Sequence, residues 1–206
     1  MNREVMLQKV RTALGRKPGE APGSPPPVYF SRTDRTVEQR IVAFTGALEA
    51  LSGHVVRCYS REAARDTVNA MIAGKHAIAS RSSFLHELQI AAEVPEAASY
   101  REACASAEFG ITSADYALAD TGTLVVLCGA EESRLVSLLP PKHIAVLTLS
   151  RLIDSLDDLL ARVPRAADIT SSMVLITGPS RTADIEQILV RGVHGPGEIT
   201  VVLVDA

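Results

Sequence analysis

An apolar run meets a polar turn near the C-terminal end of the chain. Residues 173–182 read Met-Val-Leu-Ile-Thr-Gly-Pro-Ser-Arg-Thr, and apolar residues then recur at helical spacing at Ile185, Ile188 and Leu189. The stretch predicts a buried strand, a tight turn and a helix N-terminus. Such a junction presents unpaired backbone N–H groups and the positive end of a helix dipole, which together favour a phosphate or a carboxylate.

The polar side chains of this turn are candidate anion ligands. Ser180, Arg181 and Thr182 add hydroxyl and guanidinium donors, and Asp184 and Glu186 follow on the predicted helix. A purely structural interpretation stays open, in which Ser180 caps the helix, Arg181 is a surface residue and Asp184 favours the helix dipole.

The same alternation of strand and helix extends over most of the chain. Apolar strand patterns lie at residues 54–59, 76–79, 123–128, 143–149, 173–178 and 199–204. Helical patterns begin near Val37, Ser60 and Ser82, and at Ser155 or Asp157. Strands that are apolar on both faces and alternate with helices predict an α/β fold, with a mostly parallel open sheet and helices on both faces.

The N-terminal region has a different composition. Met6, Val10 and Leu14 are spaced as on one helix face, whereas residues 18–27 contain five prolines and two glycines. Proline and glycine at this density favour neither helix nor strand. We therefore predict a helical arm at 1–17, a proline-rich linker at 18–29 and an α/β domain at 30–206. The arm is expected to be dispensable for folding of the domain.

A second polar turn precedes the strand pattern at 123–128. Asp120-Thr121-Gly122-Thr123 offers backbone N–H groups, two hydroxyls and a carboxylate that is a candidate general base. The alternative is an ordinary turn, in which Asp and Thr bond to their own backbone and Gly supplies a positive φ.

Two basic residues complete the set of candidates. His194 lies in the loop Gly-Val-His-Gly-Pro and is a candidate acid or base, or else a residue that caps a helix carbonyl. Lys142 precedes the strand pattern at 143–149 and either meets a carboxylate or is solvated.

Composition excludes several classes of function. The chain has 206 residues and a net charge of −3, with no Trp and 4% aromatic residues, so nucleic acid is not expected as a partner. No apolar run reaches the length of about 20 residues that a membrane span needs, and a cytoplasmic location is expected. Three widely spaced cysteines encode neither an iron–sulfur cluster nor a zinc site. No dinucleotide, P-loop or serine-hydrolase motif occurs, so we predict no metal and no bound cofactor, and a colourless protein.

Four pieces of the sequence resemble the lactate-utilisation (LUD) domain of the LutC/YkgG family. They are residues 177–186 with 192–196, residues 114–124, residues 137–144 and residues 11–16. The family usually has Glu-Thr-Gly-Thr where this chain has Asp120-Thr121-Gly122-Thr123. The resemblance implies a fold of the NagB, ribose-phosphate isomerase and CoA-transferase type.

The resemblance also implies a function. Family members act in the oxidation of L-lactate to pyruvate beside partner proteins that carry iron–sulfur clusters, so this chain is expected to bind a small organic acid or another small anion. The alternative is a stand-alone isomerase or acyl- or CoA-transfer enzyme that acts on a phosphorylated or CoA-linked molecule, with Asp120 and His194 as acid and base.

Both functions place the two polar turns in one site. We predict that Thr121, Gly122 and Thr123 converge with Ser180, Arg181 and Thr182. The first turn enters its strand and the second leaves its strand, so they meet only if residues 114–119 form a strand of their own or the strand after the turn runs antiparallel.

Overall fold

The computed structural model describes residues 2–17, 19, 33–129, 132–163, 170, 172–182 and 190–205. The chain divides into two units, residues 1–32 and residues 33–206. In the first unit, helix α1 spans Arg3–Ala13 and buries none of its residues. Its N-cap is Asn2, whose side chain accepts a hydrogen bond from the backbone of Glu4. Most of the predicted linker, residues 18 and 20–29, lies outside the described residues.

The second unit alternates helices and strands. Its described helices are α2 (Val37–Ala50), α3 (Arg61–Ile72), α4 (Ser83–Glu87), α5 (Tyr100–Ser106), α6 (Arg134–Leu138) and α7 (Leu156–Arg162). Its described strands are β1 (His54–Cys58), β2 (Ala77–Ala79), β3 (Phe109–Ser113), β4 (Tyr116–Leu118), β5 (Thr123–Cys128), β6 (Lys142–Thr148), β7 (Leu152–Ile153), β8 (Ser172–Ile176), β9 (Arg181–Thr182), β10 (Val190–Arg191) and β11 (Glu198–Val204).

A parallel sheet forms the centre of this unit, as the strand and helix patterns predict. Its strand order is β1-β11-β6-β3-β2, and every pairing in it is parallel. Alternate residues of β11 point to opposite faces of the sheet. Val201 and Leu203 pack with α2, whereas Val202 and Val204 pack with α3. Because both faces are covered by helices, the strand is apolar along most of its length.

Predicted helix starts are confirmed where a capping side chain marks them. Thr36 and Gln39 form a reciprocal capping box at α2, which satisfies backbone N–H groups that the helix leaves unpaired. Ser60 caps α3 and Ser155 caps α7 through a single hydrogen bond, which the serine side chain accepts from a backbone N–H of the first turn. By contrast, α5, α6 and β3 are absent from the sequence-based prediction, since their patterns are short.

A second sheet was not predicted. Its order is β7-β4-β5-β8, and β5 pairs antiparallel with both β4 and β8. The predicted mostly parallel sheet is confirmed at the centre of the unit, whereas β5 and β8 belong to this second, mixed sheet. In β5 the apolar residues do mark burial on both faces, since Leu124 joins the cluster under α2 and Val125 joins a separate cluster with Leu159 of α7. The prediction of a buried strand is wrong for β8, which is only partly buried and leaves Leu175 47% exposed.

Candidate functional site

The two predicted polar turns do lie side by side. Residues 116–118 form a strand of their own, and the antiparallel pairing of β5 with β8 sets the start of one strand beside the end of the other. The hydroxyl of Thr123 lies 2.8 Å from that of Thr121 and 2.8 Å from that of Thr177. We call Thr121–Thr123, Thr177, Gly178 and Ser180–Thr182 the turn cluster. Both structural conditions for bringing the two turns together are met.

The turn cluster packs on the end of α2. Gly122 has a φ of +66°, and a Cβ atom there would lie 2.6 Å from the backbone nitrogen of Leu48. Gly178, with a φ of +83°, lies against the side chain of Leu51. Glycine is therefore required at Gly122 both by backbone conformation and by the close approach of α2.

Arg181 makes its contacts with the same helix end. Its guanidinium donates to the carbonyl of Leu51 and to the hydroxyl of Ser52. A cation at this position satisfies a carbonyl that the helix leaves unpaired and complements the negative end of its dipole. The contact supplies a structural role for Arg181, and anion binding by the turn cluster stays a prediction.

The predicted helix N-terminus at Ser180–Thr182 is wrong. Arg181 and Thr182 form β9, which pairs antiparallel with Val190 and Arg191 of β10. Both backbone groups of Ser180 are also paired: its N–H donates to the carbonyl of Pro196, and its carbonyl accepts from the N–H of Gly192. Because these groups are paired across the chain, they are not the free N–H groups of a helix start. Residues 183–189, including Asp184 and Glu186 and the predicted apolar stripe, lie outside the described residues.

Two of the remaining candidates contact the turn cluster, and the third forms an ion pair at the start of β6. His194 is exposed, and its backbone N–H donates to the hydroxyl of Ser180 at 3.3 Å. Asp120 is exposed and accepts from the hydroxyl of Thr121 at 3.2 Å. The ammonium of Lys142 forms an ion pair with Glu198 at 3.1 Å and lies 5.5 Å from the ring centre of Phe109.

The turn cluster lies at the amino end of the parallel sheet. Leu51 and Ser52, which Arg181 contacts, precede β1, and Pro196, which pairs with Ser180, precedes β11. Ligands of open parallel sheets gather instead at the carboxyl ends of the strands. The carboxyl edge is therefore the better place to search for a site.

A cleft of about 620 Å³ opens at that carboxyl edge. Residues that follow β1, β2, β3 and β6 line it, together with the end of β5 and the loop after it. Its polar lining consists of Arg61, Ser82, Ser83, Ser113, Asp115, Glu132, Thr148, Ser150 and Arg151. We call this the carboxyl-edge cleft. Its volume lies in the range of ordinary small-molecule sites.

Glu132 is the most unusual residue of this cleft. Its side chain is 7% exposed, and one carboxyl oxygen accepts from both the hydroxyl of Ser113 at 2.6 Å and the backbone N–H of Ser113 at 3.0 Å. Its other oxygen, Oε2, is buried, and so is the hydroxyl of Ser80, which acts on this carboxyl group as a hydrogen-bond donor.

Burial decides the protonation of this carboxyl group. Desolvation raises the pKa of Glu132 to about 7, because the charged form loses its hydration. The Ser113 hydroxyl, the Ser80 hydroxyl and the Ser113 N–H act in the opposite direction, and the nearby Asp115 raises the pKa further. A carboxyl group with a pKa close to neutral is suited to proton transfer.

Asp115 is the second carboxylate of the cleft. Its Oδ2 accepts from the backbone N–H of Leu127 at 2.7 Å. Burial raises its pKa, whereas that hydrogen bond and the charge of Arg151 lower it. Asp115 therefore connects β5 to the chain after β3 and places a carboxylate near Glu132.

Two arginines bring positive charge to the cleft. Arg61, at the start of α3, forms an ion pair with Glu87 at 3.1 Å and lies over the ring of Phe84. Arg151 donates one hydrogen bond to the carbonyl of Asp115 at 3.3 Å and lies over the ring of Tyr116. Both are at least partly exposed, so an anionic ligand can reach them.

Sequence reasoning missed the cleft for identifiable reasons. Glu132 follows Glu131 and precedes Ser133, a pattern typical of a solvated helix start. Ser113 ends a strand that the pattern did not reveal. The one signal that could have revealed the cleft is topological: a carboxylate and several hydroxyls follow strands of one parallel sheet. To recognise it, the order of the strands in the sheet must be known.

His143 is a further buried polar residue that sequence reasoning did not single out. Its Nε2 lies 2.9 Å from the hydroxyl of Thr112, and its Nδ1 has no partner. Desolvation lowers the pKa of His143 to about 4, so the ring is neutral at physiological pH.

Within the described ranges, no three His, Cys, Asp or Glu side chains are grouped so that they could hold a metal ion. Among the same residues, no helix has the length and hydrophobicity that crossing a membrane requires. All three cysteines are buried.

Comparison with known proteins agrees with this α/β architecture. The family model of the LUD domain matches residues 41–204. The lactate utilization protein C of an Exiguobacterium species is 31% identical over 225 residues, which cover 98% of this chain and 96% of that protein. The chain therefore belongs to the LUD-domain family, which confirms the resemblance found in the sequence.

Other similarities are more partial. The lactate utilization protein C of Halalkalibacterium halodurans is 40% identical over 108 residues, 50% of this chain and 47% of that protein. That of Anoxybacillus flavithermus is 37% identical over 103 residues, 50% of this chain and 46% of that protein. These matches thus span about half the length of each relative. The crystal structure of a DUF162 family protein from Deinococcus radiodurans covers 83% of this chain and 99% of its own at 15% identity, and its TM-score of 0.63 shows a shared fold.

Proposed function

We propose that this chain takes part in lactate utilisation, in the oxidation of L-lactate to pyruvate beside iron–sulfur partner proteins in the cytoplasm. Its own part is to bind the small organic acid in the carboxyl-edge cleft. The name of its relatives, lactate utilization protein C, supports the pathway, most directly through the relative that aligns over nearly the whole chain.

The observation that carries the binding role is the composition of the cleft. A 2-hydroxy acid has a carboxylate, which needs cationic or N–H donors, and a hydroxyl, which needs both a donor and an acceptor. Arg61 and Arg151 supply the first requirement, and Glu132 with the serine and threonine hydroxyls supplies the second. At about 620 Å³ the cleft is larger than such an acid, which leaves room for a group from a partner.

Binding measurements and removal of one positive charge test this role. Isothermal titration of the full chain with sodium L-lactate and with sodium pyruvate is expected to show binding. Arg151→Gln should weaken the affinity about tenfold, since a charge-assisted hydrogen bond contributes roughly 1.5 kcal/mol. Arg101→Gln changes an exposed arginine outside the cleft lining and serves as the matched control. Absence of binding, or equal affinity in Arg151→Gln and wild type, contradicts the proposal.

The turn cluster is the alternative location for the same anion. Thr121, Gly122, Thr123, Ser180, Arg181 and Thr182, with Asp184, Glu186 and Lys142, stay predicted ligands there, and Asp120 and His194 stay predicted acid and base. Loss of affinity in Arg181→Ala rather than in Arg151→Gln would move the site to this end of the sheet.

The role of partners has its own test. The three cysteines lie at positions 58, 104 and 128 and form no cluster motif, so the redox centres are expected on other chains. Affinity purification from native cells grown on L-lactate should retain iron–sulfur proteins, and the chain purified alone should be colourless. A stoichiometric visible chromophore in the isolated chain would overturn this division of labour.

A second function, a stand-alone isomerase or acyl-transfer enzyme, is favoured by one observation. Glu132 combines burial, a hydrogen-bonded serine and a pKa of about 7, a combination common in acid–base catalysts. Proton exchange distinguishes this role: in D₂O an isomerase acting alone incorporates deuterium beside a substrate carbonyl without any partner. Slow exchange in the isolated chain that rises only on addition of the partners supports the first function.

A further inference from the structure

We propose that a second, apolar cavity beside the carboxyl-edge cleft holds an aliphatic side chain at C2 of the bound acid, so that the site takes 2-hydroxy acids longer than lactate. Ser82 and Ser83 line both cavities, which places the two side by side. The inference rests on the proposed function, because it takes the cleft as the place where the carboxylate of the acid binds. It adds the class of substrate.

The second cavity, which we call the apolar cavity, has a volume of about 600 Å³. Most of its lining surface is apolar, whereas most of the lining of the cleft is polar. Its described lining contains no carboxylate, and its apolar members are Ala79, Leu85, Ile90, Ala92 and Val94. A cavity of this size and composition suits an uncharged hydrocarbon group.

The abrupt end of α4 forms one side of this cavity. Gln89 has a φ of +57°, in the left-handed region in which many helices end. The N–H of Gln89 donates to the carbonyl of His86, and the N–H of Ile90 donates to that of Leu85. These two hydrogen bonds form a Schellman motif, which ends α4 after five residues and turns the chain back toward β2.

The returning chain forms a fixed wall of the apolar cavity. Glu93 lies beside β2: its N–H donates to the carbonyl of Ala77 at 3.0 Å, and its carbonyl accepts from the N–H of Ala79 at 2.8 Å. Further along, the guanidinium of Arg81 donates to the carbonyl of Pro95 at 3.0 Å. Because these bonds hold the wall in place without a ligand, little ordering is needed when a ligand enters.

The wall leaves apolar surface in contact with water. Val94 is 51% exposed, and Ile90 and Ala92 are half-buried. An aliphatic chain in the cavity would cover this surface and would itself leave water, and both changes are favourable.

The arrangement of the two cavities divides the ligand into two parts. Arg61 and Arg151 in the cleft suit a carboxylate, and the apolar cavity suits the group attached to C2. The methyl group of lactate is too short to reach from one to the other. Adjacent Cα atoms are about 3.8 Å apart, so a side chain of four carbon atoms can pass the turn at Ser82 and Ser83.

The test compares two acids that differ only in the length of this side chain. Isothermal titration of the full chain with the sodium salts of L-lactate and L-2-hydroxyhexanoate gives the ratio of their association constants. The longer acid is expected to bind at least about tenfold more tightly, since each methylene that leaves water contributes about threefold. Its binding should also have a more negative heat-capacity change, the sign of buried apolar surface.

Two variants locate the gain in affinity. Ala92→Phe fills the apolar cavity and should bring the ratio close to one. Val94→Asn replaces an apolar wall group by a polar one and should lower the ratio about threefold, which also tests the inference if Ala92→Phe does not fold. Val42→Asn is the matched control, because Val42 is 72% exposed on α2 and outside the described lining of both cavities.

The outcomes separate this inference from the proposed function. If lactate binds and the ratio in the wild type is close to one, the inference is overturned and the proposed function stands. A ratio that neither Ala92→Phe nor Val94→Asn lowers also overturns it, because the side chain then lies elsewhere. If L-2-hydroxyhexanoate binds and lactate does not, the inference stands and lactate is not the ligand. If neither acid binds, both proposals fail.

Discussion

The carboxyl-edge cleft and the turn cluster both collect hydroxyls and arginine, but they use them differently. In the turn cluster, Thr121, Thr123 and Thr177 bond to one another, and Arg181 bonds to the end of α2. In the cleft, the side chains of Arg61 and Arg151 are exposed, and the carboxyl group of Glu132 is buried with its pKa raised to about 7. The turn cluster therefore uses its polar groups to hold its own structure, whereas the cleft has cationic groups that a ligand can reach.

The comparison bears on how polar motifs are interpreted. Thr-Gly-Thr and Ser-Arg-Thr are conspicuous in a sequence because turns need such residues, and the same donors can stabilise the turn that they form. Availability of a donor depends on what else lies within about 3 Å of it, which the linear pattern does not contain.

The largest effect is expected from Gly122→Ala. A Cβ atom there would lie 2.6 Å from the nitrogen and 2.9 Å from the Cα of Leu48, and the residue has a φ of +66°. We expect a loss of about 4 kcal/mol in the free energy of unfolding, from backbone strain and overpacking together. Urea denaturation measures it, with Gly129→Ala in the cleft as control, because a Cβ atom there meets nothing within 4 Å. A loss below about 1 kcal/mol would show that the backbone of the turn cluster or of α2 can shift to make room for the Cβ atom.

The second largest effect is expected from Glu132→Gln, which should be more stable than the wild type by an amount that depends on pH. The folded pKa of about 7 lies above the ordinary value of 4.5, so the stability of the wild type is greatest below pH 4.5 and declines as the pH rises to 7. The variant has no such decline. Its gain should grow from near zero at pH 4 to about 3 kcal/mol at pH 8.

Urea denaturation at both pH values measures this gain. Glu102→Gln, at an exposed position of α5, is the matched control and should stay within about 0.5 kcal/mol of wild type at both pH values. If the gain in the free energy of unfolding is equal at pH 4 and pH 8, Glu132 is solvated. The cleft then has no buried carboxyl group that distinguishes it from the turn cluster.

Arg181→Ala tests whether the arginine of the turn cluster has a structural role or binds the anion. Loss of its bonds to Leu51 and Ser52 is expected to lower the free energy of unfolding by about 1 kcal/mol, the scale of a cation at a helix C-terminus. Affinity for lactate should not change if the cleft is the site. A loss of about 1.5–3 kcal/mol in binding would instead identify Arg181 as the anion ligand, as the sequence alone predicts.

The smallest effect is expected from deletion of residues 1–27. Helix α1 buries none of its residues, and residues 18–27 are rich in proline. The midpoint of thermal unfolding should change by no more than about 3 °C, with both regions intact. A much larger fall would show that the arm belongs to the main core.

Much of the element pattern was predictable from local chemistry. The capped starts of α2, α3 and α7 follow from Thr36, Ser60 and Ser155, whose side chains satisfy the first N–H groups of each helix. The strands of the parallel sheet follow from apolar runs such as residues 199–204. Short elements such as β3 and α6 were not predictable, because a few residues carry too little periodicity.

By itself the sequence determined the family, the α/β class and the position of the long elements, since caps, apolar runs and motifs are local properties. Only the tertiary structure decided that β5 runs antiparallel to β8, that Arg181 lies on the end of α2, and that Glu132 lies buried beside Ser113. Strand direction depends on which partners are available, and the protonation of a carboxyl group depends on what excludes water from it. Both are properties of residues that are distant in the chain and adjacent in space.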